Sequence, residues 1–309
     1  MRYVLGFDGG GTKTECVLMD ESGEILARSR SGASNPSRVA FDASLEAIIE
    51  AAKKALAAAG KTVSDVAAVC GAIAGAGLAG AIEDLHEELK VKFPQAQSIF
   101  VGTDLSMALA AAGEPPCLAV ISGTGSAVIG GDPAGNIVRE GGLGPILGDP
   151  GSAYDIGRKA MIFALTHWLR GEDSLLGREI LNRFNTNWIA LRAQMKANPD
   201  SVLPEIFPLV AKGANEGDES ARSLLRSAAE ELSAQVACVV DRLNFREKPF
   251  FLAKTGGVFN RSKYFDDQFD ESLRSIAPRV KMGPLPNIAE FCARAARDCL
   301  DSPVRNVGS

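Results

Sequence analysis

The chain opens with an apolar run, a glycine-rich turn and a second apolar run, "VLGFDGGGTKTECVLMD" at residues 4–20. The arrangement returns at "CLAVISGTGSAVIGG", residues 117–131. Each stretch reads as a β-hairpin, and each heads a segment with the same order of elements. After the first hairpin come a third strand in "EILARSRSG" and an amphipathic helix in "DASLEAIIEAAKKALAAAG". Leu45, Ile48, Ile49, Ala52 and Leu56 share one stripe of that helix, and Gly60 stops it. A nearly unbroken apolar strand "DVAAVCGAIAGAG", a helix "AIEDLHEELKVKF", a short strand "SIFVGTD" and a helix "LSMALAAAG" complete the segment. The second copy inserts a helical stretch over residues 151–245. It then gives a strand "FFLAKTGGVF", a helix "SKYFDDQFDESLRSIA", a strand "RVKMG" and a helix "NIAEFCARAARDCL". The order β-β-β-α-β-α-β-α thus occurs twice. The expected fold is α/β, in two similar domains whose glycine turns face a cleft. The expected boundaries are 1–112 and 113–288, with a helical insertion at about 158–245 and a closing helix over 289–301 that packs back on the first domain.

Five stretches carry candidate chemistry. In "DGGGTKT", a plain hairpin needs only a two-residue turn. Three glycines followed by Thr-Lys-Thr place amide N–H groups and hydroxyls at one tip, a concavity suited to phosphate oxygens. Asp8 beside it is a candidate Mg²⁺ ligand. Gly123, Thr124 and Gly125 form a second such turn at the equivalent place of the second copy. Asp104 ends a strand in "IFVGTD", where it can N-cap the helix expected from Ser106 and also accept the proton of an attacking hydroxyl. "GGLGPILGDPGSAYDIG", residues 141–157, is a glycine-rich loop whose Asp149 and Gly141–Gly142 backbone can serve a polyol. In "KTGGVFN", Gly256 and Gly257 let backbone approach a flat ligand such as a base or ribose.

Composition removes other classes. A net charge of −5 without a basic tract argues against nucleic acid as partner. No apolar run approaches a membrane span of about 20 residues, and the N-terminus reads directly into a strand with no signal segment. The six cysteines are scattered among apolar neighbours without C-x-x-C, which predicts buried reduced thiols and a cytoplasmic protein. His86 and His167 lack metal-ligand spacing, and G-x-S-x-G is absent. Trp168 and Trp188 read as core of the helical insertion.

The ordered set "DGGGTKT", "GTD", "SGTGS", "GGLGPILGDPGSAYDIG" and "TGGVF" resembles the N-acetylglucosamine kinases. These belong to the BadF/BadG/BcrA/BcrD-type ATPase family, within the superfamily of actin-like ATPases and sugar kinases. The resemblance runs from about residue 3 to 295. It implies two ribonuclease-H-like domains flanking a nucleotide-binding cleft, ATP and Mg²⁺ as cofactors, and a small sugar as substrate, with a homodimer as the expected assembly. By motif, Gly10, Gly11, Thr12 and Lys13 would form the first phosphate loop, with Asp8 serving Mg²⁺. Gly123, Thr124 and Gly125 would form the second, and Gly256 and Gly257 the adenosine contact. Asp104 matches the catalytic base; Asn35 in "SNPSR", Gly142 and Asp149 match sugar contacts.

Three positions depart from the family pattern. Leu143 stands where Trp is usual, Pro150 where Glu is usual, and Ala289-Glu290 where Gly-Ala is usual. The first two lie on the sugar side and leave the acceptor open. The expected activity is phosphorylation of an amino sugar, N-acetylglucosamine to its 6-phosphate, with glucosamine or another hexose as the alternative acceptor. A reading of another class is an ATPase that activates a partner reductase or dehydratase. Such activators hold an iron–sulfur cluster through cysteines, and no cysteine pair here stands in matching loops. A sensor that has lost catalysis is disfavoured by the intact Asp8 and Asp104.

Overall fold

The duplicated hairpin is built into two five-stranded sheets of the same strand order. The computed structural model describes residues 1–77 and 80–300. The first copy carries β1 (Tyr3–Gly9), β2 (Thr14–Asp20), β3 (Ile25–Ser31), α1 (Phe41–Ala58), β4 (Val66–Ile73), α2 (Ala81–Lys92), β5 (Ser98–Thr103) and α3 (Asp104–Ala112). The second carries β6 (Cys117–Ser122), β7 (Ser126–Gly131), β8 (Ile137–Gly141), α4 (Ala153–Leu169), α5 (Leu175–Phe184), α6 (Trp188–Ala197), α7 (Pro199–Val202), α8 (Phe207–Asn215) and α9 (Glu219–Arg242). It closes with β9 (Phe250–Thr255), α10 (Gly257–Arg261), α11 (Lys263–Ile276), β10 (Val280–Pro284) and α12 (Ile288–Asp298). The chain divides into two units, residues 1–111 with the segment from Leu285, and residues 112–284. Residue 301, the expected end of the closing helix, lies outside the described residues.

The first sheet runs β3-β2-β1-β4-β5 and the second β8-β7-β6-β9-β10. In each, the first three strands are antiparallel and the last two parallel to the first. Every side chain of β2 is buried, as a strand covered on both faces requires. On one face Leu5, Phe7 and Leu18 pack with Ile48 and Leu56 of α1 and Leu85 of α2. α1 ends as its Gly60 predicts. Gly60 has φ +65°, and the Gly60 and Lys61 amides donate to the Ala57 and Leu56 carbonyls, so the last turn is satisfied internally.

The other face of β1 carries Gly6 and meets α12. A Cβ at Gly6 would lie 2.1 Å from the Ala289 carbonyl oxygen and 2.2 Å from the Ala293 nitrogen, both backbone atoms. Neither can yield without moving the helix. Gly6→Ala is therefore expected to cost about 2–3 kcal/mol by overpacking, read as a lower midpoint in urea unfolding. A midpoint equal to wild type would show that α12 does not seat on β1.

In the second unit the core gathers β6, β7 and β9 with α4, α8, α9 and α11, around Ile156, Phe207, Leu232, Val236, Phe265 and Phe269. Two expectations are corrected. Trp188 is in this core, but Trp168, in the last turn of α4, is 39% exposed beside exposed Leu169. Of the cysteines, Cys238 is exposed, because Leu232, Val236, Val239 and Val240 occupy the inward stripe of α9 and leave position 238 on the opposite side. Among the described residues no helix is long and apolar enough to cross a membrane.

Candidate active site

Register assembles the first group of residues. Gly9 of β1 pairs with Ile73 of β4, and Ile73 with Thr103 of β5. The three parallel strands end level, and Asp8 and Asp104 stand at the two outer ends, two strand spacings or about 10 Å apart. Residues 10–13 close the hairpin, the Gly10 amide donating to the Lys13 carbonyl at 2.9 Å. Among the described residues no protein acceptor takes the amides of Gly11 and Thr12. The turn is held from one side. The Ser34 amide donates to the Gly10 carbonyl at 3.0 Å. The Thr14 hydroxyl lies 2.8 Å from the Gly32 carbonyl and 2.7 Å from the Ser34 hydroxyl.

Asn35 sits on that supporting segment. Its Oδ1 accepts the Ser37 amide at 2.8 Å and the Ser37 hydroxyl at 2.6 Å. That oxygen builds the local turn rather than standing open for a ligand. Asp104 is likewise placed differently from its expected role as cap. β5 passes directly into α3, which begins at Asp104, and the Ser106 amide donates to Thr103 Oγ1 at 3.1 Å. The capping oxygen comes from Thr103, one residue earlier, so the Asp104 carboxylate does not supply it.

The electrostatics around Asp8 are uneven. Burial pushes its carboxyl up from 3.8 to about 6; Lys13 opposes the rise, while the charges of Asp104 and Glu15 add to it. Glu15 stands directly across the hairpin from Asp8. Burial works against its ionisation too, but a hydrogen bond from Asn287 Nδ2 at 3.1 Å, with Lys13 at 3.6 Å and Arg30 at 3.2 Å, holds Glu15 below its ordinary value. Asn287 also caps α12, its Oδ1 accepting the Glu290 amide at 2.8 Å. Glu290, in the departing Ala289-Glu290 pair, binds Arg28 at 2.6 Å and Arg294 at 2.8 Å.

The described residues hold no group of three or more His, Cys, Asp or Glu able to surround a metal. Asp8 nevertheless fits Mg²⁺. That ion takes one or two carboxylates and fills its other positions with phosphate oxygens and water. A carboxylate raised by burial and by like charges is one that a cation would stabilise.

In the second unit the candidate residues converge on the turn at residues 123–125. The Gly123 amide donates to the Gly125 carbonyl at 2.9 Å. The carbonyls of Gly123 and Thr124 accept from the first amides of α4, Ala153 at 2.8 Å and Tyr154 at 3.4 Å. Gly256, at φ +113°, comes so close that a Cβ there would be 2.1 Å from the Ser122 carbonyl oxygen. The glycine loop is tied to the same turn. The Ser126 hydroxyl donates to the Pro150 carbonyl at 2.7 Å, and the Gly142 amide donates to the Ser126 carbonyl at 3.0 Å. The Gly142 amide is therefore spent within the protein, against the expectation that it serves a polyol. Asp149 is buried, at φ +59°, and a Cβ on Gly125 would meet its Oδ2 at 2.6 Å. Leu143, Ile146 and Leu147 are 61%, 89% and 79% exposed, an apolar rim on the loop.

The BadF/BadG/BcrA/BcrD ATPase family matches the chain over residues 5–287. The chain belongs to that family. An N-acetylmuramic acid/N-acetylglucosamine kinase of Clostridium acetobutylicum is 32% identical over 95% of this chain and 97% of its own. An N-acetyl-D-glucosamine kinase of Dictyostelium discoideum is 28% identical over 90% and 92%. A Chromobacterium violaceum structure, described as a candidate N-acetylglucosamine kinase, is 26% identical, covers 97% of this chain and 99% of its own, and superposes with a TM-score of 0.78. Its likeness fits the pair of five-stranded sheets to the actin-like ATPase and sugar kinase fold.

Four residues of this family member escaped the sequence reading. Thr103 and Asn287 cap helices, Glu15 faces Asp8, and Arg38 lies over Gly11. The spacing of Glu15 from Asp8 across a four-residue turn was a usable signal. The placement of Arg38 was not, since it depends on how residues 32–38 fold back.

Proposed function

We propose that this chain transfers the terminal phosphoryl group of ATP to the 6-hydroxyl of an amino sugar, with N-acetylglucosamine as the leading acceptor. The observation that carries the proposal is the level ending of β1, β4 and β5, with Asp8, Asp104 and the open amides of the 10–13 turn at the same end of the sheet. Phosphoryl transfer needs little covalent help from the protein; it needs positioning, charge stabilisation and a proton acceptor. The open amides of Gly11 and Thr12 hold phosphate oxygens, and the turn at residues 123–125 serves as the second phosphate loop. Gly256 and Gly257 receive the adenosine. Asp8 holds Mg²⁺, which when bound offsets negative charge on the phosphates. Asp104 accepts the proton of the sugar hydroxyl as it attacks.

Asn35 contacts the sugar through the part of its amide not given to Ser37. Burial of Asp149 against Gly125 favours a part in shaping the turn as well as in meeting the sugar. The apolar rim of Leu143, Ile146 and Leu147 suits an N-acyl group better than a free ammonium. That favours N-acetylated acceptors, N-acetylmuramic acid among them, over glucosamine.

Coupled ADP release over a panel of N-acetylglucosamine, N-acetylmuramic acid, glucosamine and glucose tests this. The expected result is sugar-dependent ADP release, highest with an N-acetylated member. No sugar-dependent release from any member would sink the proposal and favour an ATPase that acts on a protein partner.

A further inference from the structure

Arg38 belongs to none of the five candidate stretches, yet its side chain covers the first glycine turn. A Cβ built on Gly11 would meet Arg38 Cδ at 2.9 Å, Nε at 3.3 Å and Nη1 at 3.4 Å. The backbone that carries it is fixed. The Arg38 and Val39 amides donate to the Asn35 carbonyl at 2.9 and 3.1 Å, and Ser34 is bonded to Gly10. Other arginines of this unit have carboxylate partners: Arg2 with Glu21, Arg28 with Glu290 and Arg30 with Glu15. Among the described residues Arg38 has none.

The turn's own cation is already shared, since Lys13 lies 3.6 Å from Glu15. Three carboxylates, Asp8, Glu15 and Asp104, stand at this end of the sheet. A polyphosphate brought to the turn meets that negative field, so a cation not neutralised by protein is what the arrangement lacks elsewhere. A guanidinium is also the better shape, because its planar fork matches two phosphate oxygens at once. We propose that Arg38 is a phosphate-binding residue of this turn, gripping the terminal phosphate of the bound nucleoside triphosphate. The inference rests on the kinase reading for the identity of the turn's ligand. It adds a side-chain donor to what the backbone amides supply.

Calorimetric titration of wild type, Arg38→Ala, Arg38→Gln and Arg38→Lys with the β,γ-imido analogue of ATP and with ADP, both with Mg²⁺, tests it. Removing one charge-assisted hydrogen bond corresponds to roughly 10- to 100-fold weaker binding of the imido analogue in Arg38→Ala. ADP affinity should change less than about twofold, and Arg38→Lys should fall between. Arg38→Gln keeps bulk over Gly11 and should match the alanine variant, which separates charge from packing. In turnover assays the loss should appear in KM for ATP and not in KM for the sugar. Equal affinities in all four proteins would make Arg38 a solvated surface residue and overturn the inference. So would a loss confined to the sugar's KM, which would assign Arg38 to an anion on the acceptor. A wild type that binds nucleotide but phosphorylates no sugar defeats the kinase reading alone, and the titration still decides Arg38. A wild type that binds neither nucleotide defeats both.

Discussion

Asp104→Asn is expected to fold, to bind sugar, and to lose turnover by roughly 10²- to 10⁴-fold, the range for removal of a positioned general base. The structure explains why the fold should survive. The Ser106 amide at the start of α3 is capped by Thr103. Asparagine keeps the size of the side chain and removes only the charge and basicity. Sugar affinity by calorimetry should stay within about twofold of wild type, and kcat should carry the loss. Turnover within about tenfold of wild type would exclude Asp104 as the proton acceptor. The substitution has a second consequence. The charge of Asp104 helps raise the Asp8 carboxyl, so without it Asp8 should ionise at lower pH, and the acid limb of nucleotide-dependent Mg²⁺ binding should move down.

Asp8→Asn should have opposite effects on activity and stability. Its carboxyl is raised from 3.8 to about 6 in the fold. Between those values the folded state holds a proton that the unfolded chain has lost. Stability therefore falls as pH rises through that window and stays lower above it. The shift corresponds to about 1–3 kcal/mol of destabilisation at pH 8. Asparagine carries no charge and removes that cost. The free Asp8→Asn protein should melt higher than wild type at pH 8, by a margin that shrinks toward pH 4. Saturating Mg²⁺ and ATP should raise wild type more than the variant. Turnover should fall by at least about 10²-fold, because charge on the phosphates is no longer offset at this site. A variant less stable than wild type at pH 8 would contradict the buried, like-charged setting of Asp8.

Much of this arrangement is written locally in the chain. The two hairpins are legible because apolar runs and glycine turns are short-range signals, and their recurrence gives the shared strand order. Asp8 and Asp104 are legible because each ends an apolar strand. What escaped depends on distant packing. Gly6 reads as a strand residue of no special kind, and only the approach of α12, some 280 residues later, requires a glycine there. Thr103 replaces Asp104 as cap because β5 runs into α3 without a linker, a matter of one residue that periodicity does not fix. Gly142 reads as an open donor because its acceptor, the Ser126 carbonyl, lies on β7 and not beside it in the chain. Arg38 meets Gly11 only through the fold-back of residues 32–38.

The central claim is tested most directly by the product. Wild-type protein incubated with ATP, Mg²⁺ and N-acetylglucosamine should yield a sugar phosphate whose phosphorus correlates with the C6 methylene protons in a ³¹P–¹H spectrum. Phosphorus coupled to the anomeric proton, or ATP hydrolysed to free phosphate with the sugar unchanged, would contradict it.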